Sequence, residues 1–419
     1  MQRSITVNLG NLVLSLSDAM DLASPLLIQH QQRTAFVVWE MGKAARLTGE
    51  RLEKIFIAAL LHDIGAFSLE EKISLRNYEV ENVEDHCIRG EILLSNIPWL
   101  KDSSKIIRFH YKEWQHWKES IENPLVLESQ LLSFADYLER QIRRDQYILH
   151  QHEDIISKIE SLPGSLFHPQ VVDLFLAISN REEFWLDLVS PRLYSLLLNE
   201  GPFRKIDIDL SDISLISELF RNIIDFRSRF TSTHSSGVAA SASMLSRIIG
   251  LTEAEIKLME VAGNLHDIGK LAIRNSILGK PGKLTKEEMA VMKSHTYYTY
   301  FVIDSIGGLR QIAEWAAYHH ERLDGSGYPF HCTAAELSTG ARIMMVADIF
   351  TALAEDRPYR KGMTKEGIVQ IIKQFSDRRL LDVRIVNLLF ENYEEIFSYV
   401  SEKQAIAREF YEKQYSFVH

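Results

Sequence analysis

The feature that most constrains this chain is that it repeats itself. The string "LHDIG" at residues 61–65 returns at 265–269. The agreement extends upstream: residues 30–66 align with 234–270 without a gap, at a constant offset of 204. His30 falls on His234, Leu47-Thr48 on Leu251-Thr252, and Ala58 on Ala262. Solenoid repeats have periods of about 20–50 residues, so this spacing implies a duplicated domain instead. The 419 residues suffice for two ordinary domains. The segment "NEGPFRK", 199–205, supplies the Gly-Pro punctuation of a boundary. The expected domains are therefore 1–203 and 204–419.

The periodicity is helical almost throughout. In residues 211–230, Ile213, Ile216, Phe220, Ile223 and Phe226 fall at steps of three and four and form one apolar stripe. Thr252 with Glu255, Thr285 with Glu288 and Thr333 with Glu336 fit capping boxes, which predict helix starts. Alternating strand patterns are scarce, and "FRKIDIDLS", 203–211, reads better as a linker than as a strand. The expected fold class is all-α, with two tandem helical bundles.

Composition narrows the function. Hydrophobic residues make up 46% and charged residues 25%, the balance of a soluble globular protein. A net charge of -10 provides no positive field for a DNA or RNA duplex. No apolar run approaches the roughly 18 residues of a membrane helix, and Asp18 and Asp21 interrupt the N-terminal apolar stretch. Two cysteines, Cys87 and Cys332, make no disulfide framework. These features lead us to expect a cytoplasmic protein without a membrane partner, and a homodimer is open to a helical bundle.

The C-terminal half is dense in metal-ligand side chains: His234, His266-Asp267, His295, His319-His320 and Asp348. Imidazole with carboxylate suits iron, manganese or zinc, and the lack of thiolate argues against a structural zinc site. Seven such residues are too many for one tetrahedral ion. They suit two ions sharing a carboxylate, most simply Asp267, an arrangement that activates water and binds phosphate oxygens. Lys270 lies one turn past His266, where its ammonium can reach a phosphate. In "HHERLDGSGYP", 319–329, Gly325, Gly327 and Pro329 enforce a tight turn. That turn lets backbone approach a ligand, and Tyr328 adds a ring and a hydroxyl. In "DRPYRK", 356–361, Arg357, Arg360 and Lys361 are placed to grip phosphate.

These motifs resemble the HD-GYP branch of the HD superfamily. The matching text is "HDIGK" at 266–270, "LGKPGKLTKEE" at 278–288, "HHERLDGSGYP" at 319–329 and "VADIFTALAEDRPYR" at 346–360. The resemblance implies HD-type bundles and hydrolysis of a cyclic dinucleotide. Cyclic di-GMP, cut to the linear dinucleotide and onward to GMP, is the first expectation, and 3'3'-cyclic GMP-AMP is the alternative. It implies two divalent ions, iron or manganese. One would be held by His234, His266, Asp267 and Asp348, and the other by the bridging Asp267 with His295, His319 and His320. Lys270 would meet the scissile phosphate or the bridging hydroxide, and Arg357 and Arg360 the substrate phosphates, with Gly327 and Tyr328 in the pocket wall. Two positions depart from the family pattern. Phe230 stands where some members carry a glutamate for a third ion, which predicts two ions. Thr351 stands where an acidic residue often supports the ligands.

The N-terminal half carries a matching set in His30, His62, Asp63, His86, His110 and Asp136. Tyr111 replaces the histidine found at 320, Ala66 replaces Lys270, and no Gly-Tyr-Pro turn follows His110. His116 lies nearby and is the one candidate to fill the missing ligand position, although the expectation is that the position stays unfilled. The expectation is a domain that holds a metal but is regulatory or weakly active, or that removes phosphate from the linear product. A sensor or scaffold in which the metals are structural is the reading from another class.

Overall fold

The computed structural model describes residues 6–22, 27–76, 83–162, 164–204, 206–226, 233–356 and 361–415. Phe230, Arg357 and Arg360 lie outside the described residues. The described chain is all-α apart from two-residue strands, Asp207–Ile208 paired with Val7–Asn8. The segment expected as a linker therefore contains a short strand. Among the described residues, no helix is long and apolar enough to cross a membrane.

The chain divides into two compact units. One is Asn8–Ile206, and the other is Asp207–His419 together with the first residues of the chain. Each builds its site on two helices of the repeat. In the N-terminal unit these are His30–Ala44 and Gly49–Leu61; in the C-terminal unit they are His234–Ile249 and Glu253–Leu265. Gly250, at φ 90°, ends the first helix of the C-terminal pair in the left-handed region that glycine tolerates. Thr252 then caps the second in a complete capping box with Glu255. The same box, from Thr285 and Glu288, opens the helix Lys286–Ser305.

Thr333 and Glu336 differ from expectation. Their side chains do bond, with the Thr333 hydroxyl donating to Glu336 at 2.8 Å, but the segment stays a turn. The following helix, Thr339–Ala354, is capped by Ser338 instead. A cap satisfies free N–H groups but does not nucleate a helix where the next residues lack a face to bury. The stripe on the helix Leu210–Phe226 buries Ile213, Ile216, Phe220 and Ile223.

One glycine fixes the site in each unit. A Cβ on Gly269 would lie 1.9 Å from the His295 carbonyl oxygen, and one on Gly65 would lie 2.0 Å from that of His86. The fifth residue of "LHDIG" is thus where the helix bearing the next histidine touches the short 3-10 segment. Only glycine permits that approach.

Candidate metal centres

In the C-terminal unit five separate segments converge. His234 starts its helix, His266 ends the next, and Asp267 follows directly. His295 sits mid-helix in Lys286–Ser305, His319 and His320 lie on a 3-10 turn, and Asp348 lies inside Thr339–Ala354. Except for His320, all seven residues are buried. Three histidines are oriented in the same way. The Nδ1–H of His266 donates to the Gly263 carbonyl at 2.8 Å, and those of His295 and His319 donate to Met292 and Ala316 at 2.6 Å. A carbonyl only accepts, so each Nε2 keeps its lone pair for the centre.

The Nε2 atoms of His295 and His319 are 3.3 Å apart. Asp267 faces both sides: Oδ2 lies 3.2 Å from His266 Nε2, and Oδ1 lies 3.4 Å from His295 and 3.9 Å from His319. Asp348 Oδ1 lies 3.1 Å from His234 Nε2, and its Oδ2 lies 3.7 Å from His320 Nδ1. Within this set, His234, His266 and Asp348 form one group of donors able to hold an ion, and His295, His319 and His320 form another. His266, Asp267 and His319 link the two.

The charges fit cations. Burial alone would raise the Asp267 carboxyl, but His266 and Lys270 hold it well below the usual range. Burial pushes His295 down to about 3 and His319 well below its ordinary value, which keeps both rings neutral, the ligating form. His266 Nε2 is buried with no hydrogen-bond partner. An orphaned lone pair among carboxylates is what an ion would satisfy. Lys270 Nζ sits 2.5 Å from Asp267 Oδ2 with its side chain 21% exposed, and His320 is 32% exposed. Lys270 and His320 are thus where the cluster reaches solvent.

The glycine-rich turn walls that opening. The Tyr328 N–H donates to the His320 carbonyl at 3.2 Å, and its ring packs 5.0 Å from the His320 ring. A Cβ on Gly327 would meet Glu321 Cα at 2.3 Å. The sequence reading missed Glu321, whose buried carboxylate accepts from the N–H groups of Phe330, His331 and Cys332 and holds the turn in place. It also missed Lys293, whose ammonium lies 5.1 Å over the Tyr328 ring.

Support for His234 comes from an unexpected residue. Thr351 instead bonds Ser241, at 3.2 Å between hydroxyl oxygens. Glu355, one turn further along, places Oε1 3.3 Å from His234 Nδ1. With Asp348 it overcomes burial and raises His234 to about 10. Asp225 accepts from the backbone and hydroxyl of Ser235, at 3.4 and 2.7 Å, and so caps the helix that His234 begins. Asp21 accepts from Gln31 N at 3.1 Å in the N-terminal unit. The 204-residue offset already relates Asp21 to Asp225, so that signal lay in the sequence. Loss of such outer support typically costs about 10–100-fold in metal affinity. Glu355→Gln is expected to weaken binding by that amount, read by competition with a chelator.

The N-terminal unit repeats this plan with changes. His30 Nε2 lies 3.5 Å from both Asp63 and Asp136, and His62 Nε2 lies 3.6 Å from both. His62 and His110 donate through Nδ1 to the Ala59 and Ile107 carbonyls. His86 and His110 face each other at 3.4 Å between Nε2 atoms. Here Glu139, three residues after Asp136, holds His30 Nδ1 at 2.6 Å. Ala66, at the position of Lys270, is buried. His116 does not fill the missing ligand place: its side chain is 64% exposed and faces Glu113. A cavity of 390 Å³ opens beside His110, Tyr111, Asp136 and Arg140.

Two all-helical units, each gathered around a buried His-Asp cluster with an HD pair at its centre, define a tandem HD-type protein. The chain belongs to the HD domain family, whose profile matches residues 15–161 and again 218–385. It is 29% identical to the 3'3'-cGAMP-specific phosphodiesterase 1 of Vibrio cholerae, over 93% of each chain. It is 37% identical to the cyclic di-GMP phosphodiesterase response regulator RpfG of Xanthomonas campestris, over 44% of this chain and 48% of that one. A crystal structure of a cyclic GMP-AMP specific phosphodiesterase from V. cholerae superposes with a TM-score of 0.63 at 22% identity, covering 95% of this chain and 98% of that one.

Proposed function

We propose that the protein is a metal-dependent phosphodiesterase that opens a cyclic dinucleotide at its C-terminal centre. The observation that carries this reading is the paired donor groups around Asp267, with Lys270 at their open edge. His234, His266, Asp267 and Asp348 would hold one ion, and Asp267, His295, His319 and His320 the other, with iron or manganese matching the imidazole-carboxylate donors. When bound, such a pair supplies an activated water and a clamp on phosphate oxygens.

The remaining work falls to the chain itself. Lys270 offers its ammonium to a phosphate oxygen at the mouth. Tyr328, held against His320, presents a ring on which a base stacks, and Lys293 beside it adds positive charge for the second phosphate. Arg357 and Arg360 are proposed as further phosphate contacts.

Between substrates we favour 3'3'-cyclic GMP-AMP over cyclic di-GMP. The relative of that stated specificity aligns along 93% of this chain, whereas the cyclic di-GMP relative aligns with 44%. The N-terminal unit would act in regulation or on the linear product. The test assays both cyclic dinucleotides with the native protein and with His62→Ala and His266→Ala. The expected result is loss of hydrolysis in His266→Ala and its retention in His62→Ala. Absence of hydrolysis of either compound by metal-loaded native protein would sink the proposal.

A further inference from the structure

The N-terminal cluster departs from its counterpart along one edge. Arg140 lies four residues after Asp136, on the same helix face. Its Nε donates to Asp136 Oδ1 at 2.9 Å, and its Nη2 donates to Asp136 Oδ2 and to the Tyr111 hydroxyl. Its Nη1 donates to the Leu75 carbonyl at 2.7 Å. The side chain is 3% exposed. In the C-terminal unit the matching positions are Asp348, His320 and Ala352, and there His320 faces Asp348 directly at 3.7 Å. The N-terminal unit has a guanidinium inserted between the aspartate and the residue that replaces the histidine.

That exchange changes what the cluster can hold. A guanidinium is a permanent cation with donors only, so it ligates nothing and repels a cation placed close by. The Tyr111 hydroxyl, the remaining group at the lost histidine's place, already accepts from it. The other side keeps three of its four ligands, since Asp136 is taken up by Arg140. His30, His62 and Asp63 still form a group able to hold an ion. His62 Nε2 and Asp63 Oδ1 are buried without hydrogen-bond partners.

His86, Cys87 and His110 also lie together, with Cys87 Sγ 3.6 Å from His86 Nε2. They do not rebuild the second seat. Cys87 approaches His110 at Nδ1, 3.5 Å away, and that nitrogen donates to the Ile107 carbonyl. The sulfur thus faces the proton-bearing edge of the ring instead of its lone pair.

We infer that the N-terminal unit holds a single divalent ion, on His30, His62 and Asp63, and that Arg140 takes the place of the second ion as a fixed positive charge. One ion beside a guanidinium gives no water bridged between two metals, which separates this centre chemically from the C-terminal one. The inference concerns this unit alone and stands whatever the C-terminal site hydrolyses.

The test counts manganese in the full-length chain carrying His266→Ala, Asp267→Ala and His319→Ala, which leaves at most two ligands in each C-terminal seat. The expected content is about one ion per chain, with the electron paramagnetic resonance signal of isolated manganese. Adding Tyr111→His with Arg140→Ala, which copies the C-terminal arrangement, is expected to raise the content to about two, with a spin-coupled signal. Zero or two ions before the rebuild, or an unchanged count after it, overturns the inference. If the emptied chain fails to fold, the same rebuild in a chain with an intact C-terminal site must add about one ion. No gain there overturns it equally.

Discussion

Asp267→Ala is expected to lower kcat/KM for the cyclic dinucleotide by about 1,000-fold or more, equivalent to roughly 4 kcal/mol of transition-state stabilisation. This residue faces both donor groups, with Oδ2 toward His266 and Oδ1 toward His295 and His319. It is also the partner of the Lys270 ammonium at 2.5 Å. Its removal takes a ligand from each seat and leaves a cation facing the imidazoles. Metal content should therefore fall along with rate. Asp267→Asn separates charge from shape: it keeps the volume and the fold but gives up the negative charge, and it too should lose metal. Activity above about a tenth of native in either variant would contradict the role given to this carboxylate.

The second large effect is expected from a residue with no side chain. Gly269→Ala places a Cβ 1.9 Å from the His295 carbonyl oxygen and 2.7 Å from Thr299 N. Both are backbone atoms of a helix, so relief requires the helix Lys286–Ser305 to move as a body. Overpacking of a rigid site costs about 3 kcal/mol or more. In a unit of this size that corresponds to a fall in Tm of roughly 6–12 °C. Because His295 rides on the displaced helix, hydrolysis should drop together with stability. Gly65→Ala should destabilise the N-terminal unit similarly, since its Cβ would lie 2.0 Å from the His86 oxygen. Gly164→Ala is the control: nothing lies within 4 Å of its Cβ, and Tm should stay within about 1 °C. Thermal unfolding of the three variants decides it, and an unchanged Tm in Gly269→Ala would remove the packing explanation for the repeated "LHDIG".

The metal-type residues were legible because the chain was read against itself. A histidine alone has many uses, but His30, His62 and Asp63 recurring at one offset as His234, His266 and Asp267 mark positions held by a shared geometry. The same offset carried Asp21 and Asp225, whose capping function emerges only once the helices they cap are seen. Glu355 was less legible. It sits seven residues after Asp348, just past the helix end, whereas the N-terminal unit places Glu139 only three residues after Asp136. Two routes of different sequence spacing reach the same imidazole edge, and spacing alone does not reveal that they are equivalent. Thr333 and Glu336 show the reverse, a correct local pattern whose bonds form without a helix.

Sequence by itself determined the duplication, the helical class and the identity of the metal-type side chains, because these follow from local periodicity and from residue chemistry. Tertiary structure decided which nitrogen of His266, His295 and His319 faces inward, since each ring is turned so that Nδ1 meets the carbonyl three residues back and Nε2 meets the other segments of the cluster. It also decided the difference between the two centres. Arg140 is four residues from Asp136 in the chain and 29 from Tyr111, and only folding sets its guanidinium between them. A charge acts through distance in space, and that distance is fixed by packing.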